Sequence, residues 1–181
     1  MSAAHRIRLA VPDDAYQLGA IEAASYAATY RGILPDSVLA RATADALVER
    51  VRARLETEAA GPPDARRRRW VIEDGDGAVR GYASTEPASD QFLPPPAGAA
   101  EIESLYLHPD AIGQGYGRAL LDHVVDDLVA HGFDPLLLWA FERNERARRF
   151  YERAGWTLDV QGEDWVLDGV PCPIVRYRRG P

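Results

Sequence analysis

The sequence is poor in the features that mark several broad classes of protein. A single cysteine, Cys172, in 181 residues excludes an intrachain disulfide framework and fits a reducing compartment. It lies between two prolines with no histidine at a nucleophile's spacing, so no catalytic thiol is expected. No apolar run approaches the roughly 20 residues of a membrane span, and the opening "MSAAHRIRL" lacks the apolar segment of a secretory leader. The expectation is a cytoplasmic protein with no membrane contact. Positive charge is also short, with 21 Lys and Arg against 28 Asp and Glu and a net charge of -7. That balance argues against nucleic acid as a partner and favours a cationic one, such as an amine. The one basic run, "RRRR" at 66–69, reads as a solvated approach to a strand rather than an anion site. His108, His123 and His131 form no ligand set with carboxylates, so no metal is expected, and the helical pair His123 and Asp127 reads as a surface contact.

What remains is an ordinary globular composition, 46% hydrophobic and 27% charged, long enough for one domain over 1–181 with a full core. Alternating Ile7, Leu9 and Val11 predict a strand, ended by Pro12 and followed by a helix from about Ala15 to Thr29. Gly32 breaks that helix, and a second helical stretch runs from Pro35 and Asp36 through "ALVERVRARLETEA" to Gly61. "RRWVIED" and "VRGYASTEP" flank "GDGA" as a hairpin. "ASDQFLPPPAGAA" is a loop, and "EIESLYLHP" is a strand. "RALLDHVVDDLVAHG" is a helix stopped by Gly132. "PLLLWAF" suits a strand covered on both faces, and "NERARRFYERAG" is a helix capped by Asn144. Two further strands, "WTLDV" and "PIVRYRR", enclose a loop containing Trp165.

Between the strand "EIESLYLHP" and its helix lies "AIGQGYGRAL", with Gly113, Gly115 and Gly117 at alternate positions. The first amides of a helix have no intrahelical acceptor and sit at the positive end of its dipole. A bare glycine loop leading into them suits a phosphate. No Lys-Ser/Thr follows, and the spacing is not that of a dinucleotide fingerprint.

This segment and the one after it resemble the core of the GNAT superfamily of acyl-CoA-dependent N-acyltransferases. The pattern Arg/Gln-x-x-Gly-x-Gly/Ala falls on Ile112, Gly115 and Gly117, with Ile112 as the one departure. A second pattern falls on Asn144, Ala147, Tyr151, Gly155 and Trp156. The resemblance implies an α/β (α+β) fold, a mixed twisted sheet of six to seven strands flanked by about four helices, with central strands splayed to admit coenzyme A. It implies backbone contacts to pantetheine from Leu105, Tyr106 and Leu107. It implies a pyrophosphate site at Ile112, Gly113, Gln114, Gly115, Tyr116, Gly117 and Arg118, with Asn144, Ala147, Arg148 and Tyr151 also on the cofactor. Arg146 is a further candidate for phosphate.

The implied reaction is transfer of an acetyl group from acetyl-CoA to a primary amine by direct attack. A lysine-like amine costs roughly 4 to 5 kcal/mol to present neutral at pH 7, and an α-amino group about 1 kcal/mol. A base is therefore needed most by the first. Glu101 and Glu103 share one strand face and compete for that role, with ordered water as a third route. Tyr151 matches the residue that protonates the departing thiolate, and the Leu105 amide the one that stabilises the thioester oxygen. Tyr26, Tyr30, Leu34 and Trp165 are the candidates for acceptor binding, with a small molecule or peptide as acceptor. A homodimer is open, and the alternative function is a noncatalytic acyl-CoA sensor.

Overall fold

The computed structural model describes residues 5–180. One seven-stranded sheet runs in the order β1-β2-β3-β4-β5-β7-β6. Its strands are β1 His5–Leu9, β2 Arg68–Asp74, β3 Val79–Pro87, β4 Ala100–Leu107, β5 Leu136–Phe141, β6 Thr157–Leu167 and β7 Val170–Arg179. The helices are α1 Ala15–Thr29, α2 Asp36–Arg41, α3 Ala44–Ala60, α4 Tyr116–Ala130 and α5 Glu145–Arg153. All pairs are antiparallel except β4 with β5. That parallel pair requires a crossover, and α4 supplies it.

Period-two alternation gives the inner strands β2 and β3 two buried faces. Val71 and Tyr82 pack with Leu18 and Ile21 of α1 and with Val51 and Leu55 of α3. Their neighbours Ile72 and Ala83 turn to the other face, under Leu120, Leu121, Val124 and Leu128 of α4. The end of α4 is the expected one. Gly132 takes φ 81°, and the Phe133 amide donates to the Leu128 carbonyl at 3.2 Å, which satisfies an otherwise orphaned oxygen.

Four expectations need correction. The stretch from Asp36 to Gly61 is two helices, because Thr43 leaves helical geometry and its hydroxyl accepts from the Ala46 amide to cap α3. This makes five helices in place of about four. Trp165 lies in no loop: β6 and β7 form a long hairpin turning at Asp168 and Gly169. Register shifts around Val160 and Gly162 at φ 91° admit the polar residues that disguise the strand. The basic run is solvated only in its first half, at Arg66 and Arg67. Arg69 is 4% exposed and paired with Glu58 at 2.9 Å, while Arg68 takes Asp127 at 2.7 Å. His123 makes no contact with Asp127. Its ring meets Trp70 edge-on at 4.5 Å, and its Nε2 is buried without a hydrogen-bond partner.

Candidate active site

The site begins where the parallel pair fails. β4 and β5 are in register only at Ala100 with Leu136 and Glu101 with Leu137. On its other side β4 keeps β3 as far as Leu107 with Gly81, with a register shift that leaves Glu103 without a partner. Such a bulge bends its strand and re-aims a side chain. Beyond it β4 and β5 part, and cavities of about 540 and 430 Å³ open on either side of the gap. Tyr30, Leu105, Tyr106, Asn144, Ala147 and Tyr151 line both. The two spaces therefore meet at the splay.

The smaller cavity is a groove that gathers most of the residues expected to meet the cofactor. It is lined by Leu105, Tyr106, Leu107, Ile112, Gly113, Gly115, Gly117, Arg118, Asn144, Ala147 and Tyr151. The first bond within α4 runs from the Ala119 amide to the Gly115 carbonyl at 3.1 Å, so the amides of 116–118 precede any intrahelical acceptor. Gly113 and Gly115 adopt φ 84° and 93°, and a Cβ on either would meet nothing within 4 Å. Their requirement is conformational, and open space in front of them is what an approaching anion needs. Gly117 differs, since a Cβ there would lie 3.1 Å from Leu107 Cδ1. It lets α4 sit on β4. Three arginines, Arg118, Arg146 and Arg153, surround the groove on an acidic chain.

Not every expected cofactor residue reaches the groove. Arg148 turns away to donate to the Tyr177 hydroxyl at 3.2 Å and the Glu142 carbonyl at 3.1 Å. Its neighbours Arg146 and Arg153 face the groove instead. Gln114 folds back on the Asp110 carbonyl at 2.6 Å. The Tyr116 side chain belongs to the core under α4, leaving only its backbone at the loop. Asn144 caps α5, with Oδ1 accepting from the Ala147 amide at 3.2 Å, and this fixes the turn that carries Tyr151 to the gap.

Glu101 and Glu103 both line the larger cavity, yet their surroundings separate them. Glu101 is 9% exposed and forms no ion pair among the described residues. Oε2 accepts the Ser89 amide at 3.1 Å, which leaves Oε1 available. Burial raises its pKa to about 7, aided by the charge of Glu103 and opposed by the Ser89 bond and the charge of Arg176. Burial pushes Glu103 upward as well, but its hydrogen-bonded ion pair with Arg54 outweighs that and holds it below the usual range. Arg54 reaches both carboxylate oxygens at 2.7 and 2.8 Å, and the Ser84 hydroxyl donates at 3.0 Å. The Tyr151 hydroxyl has no hydrogen-bond partner among the described residues, and burial pushes it up to about 12. The chain contains no lysine, so each nearby cation is a guanidinium that does not titrate.

The larger cavity holds all four residues expected to meet the acceptor, Tyr26, Tyr30, Leu34 and Trp165. It also holds residues that motif reading passed over: Glu22, Phe92, Trp139 and Phe141. Trp139 and Phe141 stand in a run of apolar letters that reads as buried core. What brings them out is the loss of β4 as a neighbour. Among the described residues no group of His, Cys, Asp and Glu is arranged to hold a metal ion, and no helix is long and apolar enough to cross a membrane.

Comparison with known proteins agrees with this geometry. A mycothiol acetyltransferase of Beutenbergia cavernae is 40% identical over 89 residues, which are 49% of this chain and 28% of that protein. The chain thus matches little more than a quarter of that relative's length. The N-acetyltransferase PaiA of Thermoplasma acidophilum, solved in complex with coenzyme A, superposes with a TM-score of 0.72 at 18% identity, over 97% of this chain and 99% of that one. The yncA protein of Salmonella typhimurium, solved with acetyl-CoA, gives 0.68 at 23% identity over 97% and 93%. These likenesses establish the fold. The model of the acetyltransferase (GNAT) family matches residues 38–156, a span that takes in the splayed strands, the glycine loop and Tyr151, and the chain belongs to that family.

Proposed function

We propose that the protein transfers an acetyl group from acetyl-CoA to a primary amine by direct attack, with Glu101 as base and Tyr151 as acid. The observation that carries this reading is the contrast between the two carboxylates at the splay. A base works best when its pKa lies near the operating pH, and Glu101, buried and without an ion-pair partner, is so poised. Glu103 is a poor base because Arg54 occupies both of its oxygens. Its charge instead helps keep Glu101 basic.

Acetyl-CoA would supply an activated acyl group on sulfur, for which the transfer forms a C–N bond and breaks a C–S bond. The groove fits it: open amides at the start of α4 and the guanidiniums of Arg118, Arg146 and Arg153 suit the phosphates, and the edge of β4 that β5 leaves at Leu105, before the Leu107 carbonyl accepts the Ser25 hydroxyl at 2.7 Å, suits an amide-bearing arm. On the acceptor side, Oε1 of Glu101 takes the proton that the amine loses. Across the gap, the phenol of Tyr151 holds its proton up to about pH 12 and keeps it available for the departing sulfur. The Leu105 amide is the proposed donor to the thioester oxygen. The acceptor named for the Beutenbergia cavernae relative is not carried over, because the match covers 28% of that protein.

The test is thiol release from acetyl-CoA with a panel of amines between pH 5.5 and 9. For an amine that stays largely protonated across this range, kcat/KM should rise through a limb near pH 7, and Glu101→Gln should remove that limb. Tight binding of coenzyme A with no turnover on any amine would sink the proposal.

A further inference from the structure

The lining of the acceptor cavity divides into charges already matched and rings that are not. Glu22 is held by Arg50 and by the Tyr82 hydroxyl at 2.8 Å, Glu86 by Arg67 at 2.7 Å, and Glu103 by Arg54. Arg69 has Glu58. Among the described residues Glu101 is therefore the one carboxylate of this lining without an ion-pair partner, since Arg176, whose charge reaches it, is paired with Asp159 at 2.7 Å, and no guanidinium of the lining lacks a carboxylate. An acceptor with several ammonium groups finds no second unpaired anion here, and one with a carboxylate finds no unpaired cation. Taking an existing partner from either would cost a partly buried charge its match.

The rings occupy the rest of the wall. Phe92 meets Trp139 edge-on at 5.1 Å and Trp165 at 6.0 Å. Phe141 lies parallel to Trp165, offset at 5.9 Å. Trp165 remains 39% exposed, so the wall offers apolar area to whatever enters. A second cation is disfavoured there also, since the Arg176 guanidinium, 5% exposed, already lies 5.6 Å over the Trp139 ring. Position sets the linker. Leu137 pairs with Glu101, and Trp139 follows two residues on along the same strand face, roughly 7 Å away at about 3.3 Å per residue. From these matched charges and this spacing we infer that the acceptor is a monoamine whose nitrogen is joined by one to three carbons to an aromatic ring, which lies on Phe92, Trp139, Phe141 and Trp165. The amine end of this assignment rests on the proposed acetyl transfer; the ring end does not.

Steady-state kinetics with acetyl-CoA and phenethylamine, propylamine, spermidine, kanamycin or phenylalanine test it. Phenethylamine should exceed spermidine, kanamycin and phenylalanine in kcat/KM by about tenfold or more. Trp165→Leu should cut the ratio of phenethylamine to propylamine by about fivefold, with Phe92→Leu as a second variant should the first misfold. A preference for spermidine, kanamycin or phenylalanine, or an unchanged ratio in both variants, overturns the inference. If no amine is turned over, the acetyl-transfer proposal falls separately, and calorimetry of phenethylamine with the coenzyme A-loaded protein decides the ring site. Saturable binding weakened by Trp165→Leu sustains it, and absence of saturable binding overturns it.

Discussion

The two halves of the site are made of different material. The proposed cofactor groove takes its anion-facing wall from backbone over 105–118, namely left-handed glycines at 113 and 115, the free first amides of α4 and the edge of β4 that β5 leaves, with α1 and α5 closing it. The proposed acceptor cleft is built mainly from side chains, among them those of α1, α2, α3, β4, β5, β6 and the 88–99 loop, which meet only in the folded state. A groove made of backbone tolerates changes of side chain and resists changes of conformation. A cleft made of side chains does the reverse, and its charges depend on one another.

The largest effect that would sharpen this contrast is at Glu101. Glu101→Gln should lower kcat by about 10²- to 10³-fold, whereas Glu103→Gln should cost less than about tenfold, both read by thiol release at pH 8. Equal losses would return Glu103 to candidacy. The same variant tests the proton affinity through stability. Folded Glu101 keeps its proton up to about pH 7 while the unfolded chain releases it near 4.5, so the wild type loses stability as pH rises between those values. Glu101→Gln has no such loss, and urea denaturation should find it more stable than wild type at pH 8 by up to about 3 kcal/mol, with the advantage gone below pH 4.5.

Tyr151→Phe comes next. Its kcat should fall by about 10- to 10²-fold with coenzyme A affinity little changed; unchanged turnover would remove the phenol from the reaction. On the backbone side, Gly115→Val forces a branched residue to φ 93° and should weaken coenzyme A by about tenfold. Ile112→Arg should shift it by no more than about threefold. The reverse ranking, by calorimetry, would mean that side chains and not amides hold the cofactor. Smallest is Asn144→Ala, which removes the cap of α5 and should cost about 1 kcal/mol in denaturant unfolding.

The unevenness of what could be read from sequence follows the same division. The glycine loop, the Gly132 stop and the Asn144 cap were legible because each works through hydrogen bonds spanning a few residues. Arg148 was not, since whether it meets the groove depends on Tyr177, 29 residues away. Trp139 and Phe141 look like core in a strand covered on both faces, and nothing in their letters tells that β4 leaves β5 after two pairs. Trp165 does line the larger cavity with the other three candidates for acceptor binding, but from a strand and not a loop, because bulges at Val160 and Gly162 break the alternation that marks a strand.

By itself, then, the sequence determined the limits of α1, α4 and α5 and of most strands to within a few residues, that a glycine-led helix follows a strand at the centre of the chain, and which two glutamates share a strand face as candidates for a base. Those outcomes depend on local capping, φ preference and periodicity. Only the tertiary structure gave the two glutamates different surroundings, and the proposal of Glu101 as base rests on that difference. Proton affinity is set by burial and by neighbouring charge, and the guanidinium that holds Glu103 arrives from α3, 49 residues earlier in the chain.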